Sequence, residues 1–150
     1  MKRGYYITID GGKGAKKNTL IKDLYNYFWE KKNIRCMCIK DPAYTEVSEK
    51  AMNLMLDNDL SPLANLSLIT AARIDTFTNI VIPKIEQGIT ILSERSANAT
   101  LAYWGYAENF NYEIVKKLNE LSMQELKPDI SIIIDIDPKI GLKNDSNIQL

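Results

Sequence analysis

The chain is 150 residues long, with 45% apolar and 25% charged residues, and its 19 lysines and arginines balance its 19 aspartates and glutamates. This length and composition fit one globular domain, the balanced charge argues against nucleic acid as a partner, and no apolar run is long enough to span a bilayer. The lack of histidine excludes imidazole chemistry, and because no signal-like apolar segment follows the N-terminus we expect a cytoplasmic protein.

The first predicted strand, residues 5–9, runs through a glycine-rich turn into an amphipathic helix predicted over residues 17–31. Strand, glycine loop and helix in this order are the setting of a phosphate-binding loop, because the loop N–H groups and the positive end of the helix dipole then face an anion. An ordinary glycine-rich turn between a strand and a helix is the structural alternative.

The loop departs from the usual pattern G-x-x-x-x-G-K-[ST] at two positions. Gly11 fills the first position and Lys17 that of the lysine. Lys16, however, replaces the second glycine, and Asn18 replaces the hydroxyl residue, with Thr19 one position late. A side chain at position 16 disfavours the backbone geometry that glycine allows, and the amide at position 18 offers magnesium only a neutral oxygen.

Further strands alternate with helices along the chain. The strands are predicted over residues 34–39, 89–93 and 130–134, and the helices over residues 45–56, 61–87, 97–104, 111–124 and 139–143. Thr45 or Ser48 is expected to cap its helix, and Pro83 to kink or divide the longest one. The isoleucine-rich run 130–134 is typical of a central parallel strand buried on both faces. Residues 144–150 are polar and expected to fray.

Alternating strands and helices predict an α/β fold with a doubly wound parallel sheet and right-handed crossovers. Ligands of such sheets bind beyond the carboxyl ends of the strands. The polar residues expected to converge there are Asp10, Lys40, Asp41, Glu94, Arg95, Asp135 and Asp137. Cys36 and Cys38 have a spacing that suits neither a zinc site nor a redox motif, so we expect small buried hydrophobic residues.

Five stretches, in this order, resemble the thymidylate kinase family, whose members phosphorylate dTMP with ATP and magnesium. The family's phosphate loop and first helix resemble ITIDGGKGAKKNTLIKDL in this chain, and the family's R-E-P-G-G-T segment resembles KDPAYTE. The stretch that ends in a substrate-contacting arginine resembles LSPLANLSLITAAR. The last two stretches are IPKIEQGITILSERSANATLAYWGY and LKPDISIIIDIDPKIGLK, which resemble P-x-L-x-x-G…V-I-x-D-R-Y…A-Y-Q-G and L-K-P-D-L-T-x-x-L-D-V-D-P-x-x-G-L-x-R.

The resemblance implies a three-layer P-loop NTPase fold in a single domain over residues 1–150, a homodimer, and transfer of the ATP γ-phosphoryl group to dTMP to give dTDP. The implied catalytic residues are Lys17, Arg95 and Asp10. The implied ATP contacts are Gly11, Gly12, Gly14, Ala15, Lys16, Lys17, Asn18 and Thr19. The implied dTMP contacts are Lys40, Asp41, Ile69, Arg73, Glu94, Arg95, Tyr103 and Trp104. Magnesium ligands are expected at Asn18 and Glu94.

Each of these roles has a structural alternative. Lys17 could be a solvated helix lysine, and Asp10 and Glu94 could cap the following loops instead of orienting magnesium or an arginine. The predicted phosphate ligands could form surface salt bridges instead; these are Arg73 and Arg95. The aromatic pair could fill core rather than line a pocket; this pair is Tyr103 and Trp104. Asp135 and Asp137 could be strand-end carboxylates only.

Departures from the family pattern raise a second hypothesis. Lys13 reverses an acidic residue that contacts the substrate sugar, Lys40 replaces an arginine and so loses the bidentate fork, and Ile69 replaces the aromatic residue that stacks on thymine. The family's arginine-bearing lid and C-terminal helices are not part of this sequence, and the loop position at which some members carry the arginine is Gly14. Lys16 is the candidate substitute. The alternative is therefore a weak or inactive nucleotide-binding relative that acts through a partner or a dimer interface.

Overall fold

A computed structural model of the chain describes residues 2–57, 59–108 and 110–144. The strands are β1 (Tyr6–Gly11), β2 (Cys36–Lys40), β3 (Thr90–Glu94) and β4 (Ile130–Ile134). The helices are α1 (Lys17–Asn26), α2 (Glu46–Asp57), α3 (Pro62–Thr76), α4 (Ile82–Glu86), α5 (Ala97–Thr100), α6 (Tyr112–Ser122) and α7 (Pro138–Asn144). All predicted elements are therefore present, whereas the fraying expected at the end of the chain falls on residues 145–150, outside the described part.

The four strands form one parallel sheet in the order β2-β3-β1-β4. In β1, Tyr6 pairs with Ile91 of β3 and Ile7 pairs with Ile130 of β4. Each β-to-β connection carries at least one helix, as a parallel sheet requires. The predicted doubly wound α/β fold is confirmed, and the carboxyl ends of β1 and β3 lie side by side at Ile9 and Glu94.

Helices pack against both faces of this sheet. Successive side chains of a strand point to opposite faces, so each strand can contribute residues to both. On one side Ile7, Ile9 and Leu92 pack with Ile21 of α1. On the other side Tyr6, Ile39 and Ile91 pack with side chains of the α3–α4 region, namely Phe77, Val81 and Ile85. The sheet thus separates two apolar clusters, and both contain β1 residues.

The position of β4 corrects one prediction. Its isoleucines were expected in a central strand buried on both faces, but β4 lies at the edge of the sheet and pairs with β1 alone among the described strands. Ile130 and Ile133 are 51% and 68% exposed. Composition alone cannot separate a buried strand from an edge strand, because the crossover connections decide which strand ends up outside.

π-helical segments interrupt or extend three of the helices. They are Tyr27–Lys31 after α1, Phe77–Val81 between α3 and α4, and Leu101–Ala107 after α5. Pro83 lies in the first turn of α4, and because proline has no N–H it cannot continue the α-helical ladder. The prediction that Pro83 divides the long helix is confirmed, although the chain stays helical throughout.

Local signals also explain where two helices begin. The Ser48 N–H donates to Thr45 Oγ1 over 3.0 Å, so Thr45 rather than Ser48 caps α2. Ser61 Oγ accepts from the Ala64 N–H at the start of α3. No helix within residues 2–57, 59–108 and 110–144 has both the length and the apolar character needed to cross a membrane.

The two cysteines have free thiols, and burial raises the pKa of each. Cys36 is buried and Cys38 half-buried. The expectation of small hydrophobic residues is confirmed for Cys36 and fits Cys38 in part.

Candidate active site

The loop between β1 and α1 contains a lysine in a left-handed backbone conformation. Lys16 has φ 55° and ψ 36°, a region that costs a residue with a Cβ roughly 1–2 kcal/mol. Gly14 has φ 69° and Gly11 has φ 153°, which glycine adopts without that cost. The prediction that position 16 calls for a glycine geometry is confirmed, since Lys16 keeps that geometry in spite of its side chain.

Lys17 lies on the loop rather than in solvent. It is buried, and its Nζ donates to the carbonyl oxygens of Gly11 and Gly12 over 2.9 and 2.8 Å. Burial lowers the pKa of Lys17; the charge of Arg95 lowers it further, and the carboxylate of Glu94 raises it. The solvated alternative for Lys17 is wrong, and the β3 end lies close enough to act on the loop lysine.

Asp10, at the carboxyl end of β1, is buried with one of its two oxygens unpaired. Its Oδ2 accepts from Ser96 Oγ over 2.6 Å. Its Oδ1 is buried and has no hydrogen-bond partner in the described part of the chain. A buried acceptor without a partner is costly, and in native proteins such atoms commonly face an ion, a water or a ligand.

Ser96 stands where the family pattern has tyrosine, and it gives Asp10 a fixed partner. Its Oγ also accepts from the Asn98 N–H over 3.1 Å and thereby caps α5. The end of β1 and the start of α5 are thus joined through one hydroxyl group.

Arg73 is the centre of a buried polar cluster. Its guanidinium donates through Nε and Nη2 to the Asp41 carboxylate, with contacts of 2.6–3.0 Å. It also donates to Asn119 Oδ1 over 2.9 Å and to Thr100 Oγ1 over 2.8 Å. Burial by itself lowers the pKa of Arg73, but the adjacent Asp41 charge and hydrogen bonds raise it to a net value above the ordinary one.

The burial and hydrogen bonds of Arg73 bear on the two roles considered for it. Arg73 is 1% exposed, so its ion pair is not a surface salt bridge. Four of its five N–H groups are committed within the described part of the chain, so one Nη1 N–H is left for a ligand. A contact with the acceptor phosphate stays a prediction, and the observed role is to hold the wall of a pocket.

The pocket beside Arg73 has a volume of about 260 Å³. Apolar and aromatic side chains make up most of its wall; they are Pro42, Met52, Met55, Ile69, Ala99, Tyr103 and Trp104. Asp41, Arg73, Arg95, Ser96, Thr100 and Glu108 supply the polar part. The structure thus brings six of the eight predicted dTMP contacts together.

The two aromatic residues of this wall differ in exposure. Tyr103 is 49% exposed, whereas Trp104 is half-buried and its indole meets the Phe110 ring edge-on, with centroids 5.9 Å apart. Both face the pocket, so the alternative that they only fill core is wrong. Ile69, at the position of the family's stacking residue, is buried in the same wall.

Arg95 joins the pocket to the loop. It lines the pocket, and its N–H donates to the Ile9 carbonyl over 2.9 Å. Its charge also lowers the pKa of Lys17. Arg95 has φ 69°, a left-handed conformation that is strained for arginine and is often kept at functional sites. The sequence carries no local signal for that conformation.

The remaining predicted residues lie elsewhere. Lys40 and Glu94, paired in register between β2 and β3, line a second cavity of about 640 Å³ together with Asn18. The Asn18 Oδ1 already accepts from the Thr19 N–H over 2.9 Å. The expectation of a single crevice therefore holds only in part, because two neighbouring cavities share the strand ends.

The acidic pair after β4 does not line either cavity. Asp137 Oδ1 accepts from the Lys139 N–H over 2.8 Å and so caps α7, and Asp135 is exposed. Their interpretation as strand-end carboxylates is the one that fits.

Asn119 is a site residue that sequence reasoning missed. It is 4% exposed, and its Nδ2 donates to the Ala97 carbonyl over 2.9 Å while its Oδ1 accepts from Arg73. The available signal was its position four residues after Val115 on the buried side of α6. A polar residue on an apolar stripe needs a buried partner.

Comparison with known proteins identifies relatives over most of the chain. The family profile described as thymidylate kinase matches residues 9–146. Thymidylate kinase of Pelobacter propionicus is 35% identical over 143 residues, which are 93% of this chain and 65% of that protein. Thymidylate kinase of Ruthia magnifica is 32% identical over 145 residues, which are 95% of this chain and 70% of that protein. This chain therefore spans about two thirds of the length of these curated relatives.

The fold has a similar solved counterpart. The crystal structure of thymidylate kinase from Ehrlichia chaffeensis superposes with a TM-score of 0.81 at 27% sequence identity. The superposition covers 95% of this chain and 82% of that chain.

Proposed function

This chain belongs to the thymidylate kinase family, and we propose that it transfers the γ-phosphoryl group of ATP to dTMP, giving dTDP and ADP. The observation that carries this proposal is the place of Arg95, which lines the apolar pocket while its backbone N–H donates to the Ile9 carbonyl near the end of β1, just before the loop. The proposed phosphate-binding loop on one side and the apolar pocket on the other meet at this one cation.

On the donor side, the loop binds the ATP phosphates. The first N–H groups of α1 have no acceptor within the helix and point toward an anion. Lys17 is held at the loop by the Gly11 and Gly12 carbonyls, and it exchanges these partners for phosphate oxygens when ATP binds. Lys16 adds an exposed positive charge beside it, and we keep it as the candidate substitute for the family's arginine.

On the acceptor side, the pocket holds dTMP. The Trp104 indole gives the base a flat stacking surface, which takes over from the aromatic residue that Ile69 replaces. Arg95 binds the dTMP phosphate at the loop end of the pocket. A phosphate oxygen of dTMP then attacks the γ-phosphorus of ATP in line, the bond to the β–γ bridging oxygen breaks, and ADP leaves.

Magnesium is the cation that the family implies. No three His, Cys, Asp or Glu side chains of the described residues form a group that could hold a metal, but Mg²⁺ needs only one or two carboxylates beside substrate phosphates. The unpartnered Oδ1 of Asp10 fits that need, and Glu94 at the next strand end is the second carboxylate that would hold it. When bound, Mg²⁺ neutralises charge on the transferring phosphate. Asn18 as a ligand stays a prediction.

The test is calorimetric titration of the chain with dTMP and, separately, with ATP and magnesium, followed by a coupled assay for ADP. We expect both nucleotides to bind and ADP to appear only when both are present. Lys17→Ala should abolish ATP binding and leave dTMP binding unchanged, while Lys31→Ala, an exposed lysine of the helical segment that follows α1, is the control. Binding without turnover would support the inactive relative instead, and no binding of either nucleotide would refute the proposal.

We also propose that the chain forms a homodimer through α2 and α3. Support comes from exposed apolar side chains on these helices, such as Val47 and Leu63, and from a groove lined in part by Leu60, Ala64 and Leu68. A homodimer buries such surface against its own copy.

We also propose a cytoplasmic location. The two free cysteines support it, because free thiols suit a reducing compartment.

A further inference from the structure

We propose that Gly141 of α7 is a positioning residue for the phosphate loop. It lets the α7 backbone lie directly against the loop backbone, so that α7 holds the loop in its ATP-binding shape. The inference rests on the proposed function for its effect on ATP, but the contact itself is independent of that function.

The contact is too close for a side chain on either partner. A Cβ on Gly14 would lie 1.8 Å from the Gly141 carbonyl oxygen. A Cβ on Gly141 would lie 2.4 Å from the Lys13 carbonyl oxygen. Backbone atoms cannot swing aside as the end of a flexible side chain can, so either substitution must separate α7 from the loop.

Two further contacts make the segment from β4 to α7 a continuous support for the loop. A Cβ on Gly11 would lie 2.8 Å from the Ile134 carbonyl oxygen, at the last pair of the β1–β4 ladder. At the far end of α7, Asn144 Nδ2 donates to the Gly14 carbonyl over 3.4 Å. The loop is therefore supported at its start and in its middle.

The start of α7 is fixed as well. Asp137 accepts the Lys139 N–H through its side chain and the Gly141 N–H through its carbonyl oxygen over 3.0 Å. With this cap in place, the Gly141 carbonyl has a defined position facing Gly14. α7 therefore holds the loop from a fixed position.

The contact also limits what the loop can carry. Position 14 has φ 69° and faces the α7 backbone, so an arginine there would have to displace α7. A cation supplied from position 14 is excluded as long as α7 is in place, and the cations that act on phosphate must come from other positions, such as Arg95.

The experiment compares Gly141→Ala with the unchanged chain in steady-state kinetics and in hydrogen exchange. We expect the KM for ATP to rise by roughly ten- to a hundredfold, because a shift of about 1 Å at a binding group has effects of that size. The KM for dTMP should stay unchanged, since the pocket around Arg73 does not touch α7. Amide exchange over residues 12–17 should quicken, while exchange in β3 should not.

Ile140→Ala is the matched control, because Ile140 is the preceding residue of the same helix and its side chain is 56% exposed. It should change neither the KM for ATP nor loop exchange. Asp137→Ala provides a second variant that adds no bulk; by loosening the α7 cap it should move both measurements in the same direction, by less. This variant decides the question if Gly141→Ala does not fold.

The outcomes separate the two proposals. Unchanged ATP affinity and unchanged loop exchange in both variants would overturn the positioning role. If the unchanged chain binds no ATP, the proposed function fails, and the exchange of residues 12–17 in the variants still decides whether α7 holds the loop.

Discussion

At Lys16 the backbone conformation and the side-chain charge favour different residues. The left-handed conformation favours glycine, whereas the charge favours a bound phosphate. We expect Lys16→Gly to raise the free energy of unfolding by about 0.5–1 kcal/mol, since relief of the left-handed strain exceeds the added chain entropy of glycine. Urea unfolding would measure it. Lys16→Ala keeps the Cβ and removes the charge, so it should not stabilise; equal gains from both variants would contradict the backbone explanation.

The same position bears on ATP binding. Restoring both family residues, with Lys16→Gly and Asn18→Thr together, should raise the affinity for ATP, because the loop regains its usual geometry and a hydroxyl ligand for magnesium. Calorimetry with ATP and magnesium would measure the change. An unchanged affinity for ATP would contradict the explanation that these two substitutions weaken the loop.

Arg73 and Asp41 form a pair in which each side chain is 2% exposed. Asp41→Asn leaves the buried guanidinium charge without its counter-charge, and we expect a loss of about 3–5 kcal/mol in the free energy of unfolding. The control is Glu46→Gln, which breaks the exposed ion pair of Glu46 with Lys50 and should change stability little. Similar small effects of the two substitutions would show that the buried cluster does not need the charge.

Among the elements, the edge strand β4 is held by hydrogen bonds at its start as well as by its ladder with β1. Asp129, the residue before β4, accepts from Arg3 and from the Tyr6 N–H. It thereby joins the N-terminal stretch and β1 to the edge strand. Because β4 pairs with β1 alone among the described strands, these hydrogen bonds add to the β1–β4 ladder in holding its register.

This arrangement predicts a dependence on pH. The hydrogen bond from Arg3 lowers the pKa of Asp129 below its ordinary value of 3.8, and the Tyr6 N–H adds to that effect. A depressed carboxyl pKa stabilises the fold above the ordinary value, and the contribution is lost as pH falls through the folded-state pKa. Urea unfolding between pH 7 and pH 2 should show a steeper loss below about pH 4 for the unchanged chain than for Asp129→Asn. The same loss of stability with falling pH in both proteins would contradict the assignment of this effect to Asp129.

For the molecule as a whole, the proposed homodimer can be measured directly. Light scattering should give twice the mass of one chain, and Leu68→Glu, which places a charge in the groove between α2 and α3, should reduce the mass to that of a monomer. Leu121→Glu on α6 is the control, because it makes the same charge change at another surface, where Leu121 is 64% exposed. A monomeric mass for the unchanged chain would refute the dimer. The single domain over residues 1–150 stays a prediction.

Much of the fold follows from local patterns. The alternation of strands and helices, the loop after β1, the Thr45 cap and the division at Pro83 all depend on residues within a few positions of one another. Such signals are recorded in periodicity, in hydrogen-bonding side chains and in the missing proline N–H. The family likewise follows from motifs that can be compared directly along the chain.

The sequence by itself therefore determined the α/β class, the position of the loop between β1 and α1 and the set of strand-end residues, because these depend on local geometry. Only the tertiary structure decided that β4 is an edge strand and that Arg73 meets Asp41 and Asn119, which lie 32 and 46 positions away. It also brought Gly14 against Gly141. Contacts between distant segments depend on how crossovers stack the elements, and no short stretch of sequence carries that information.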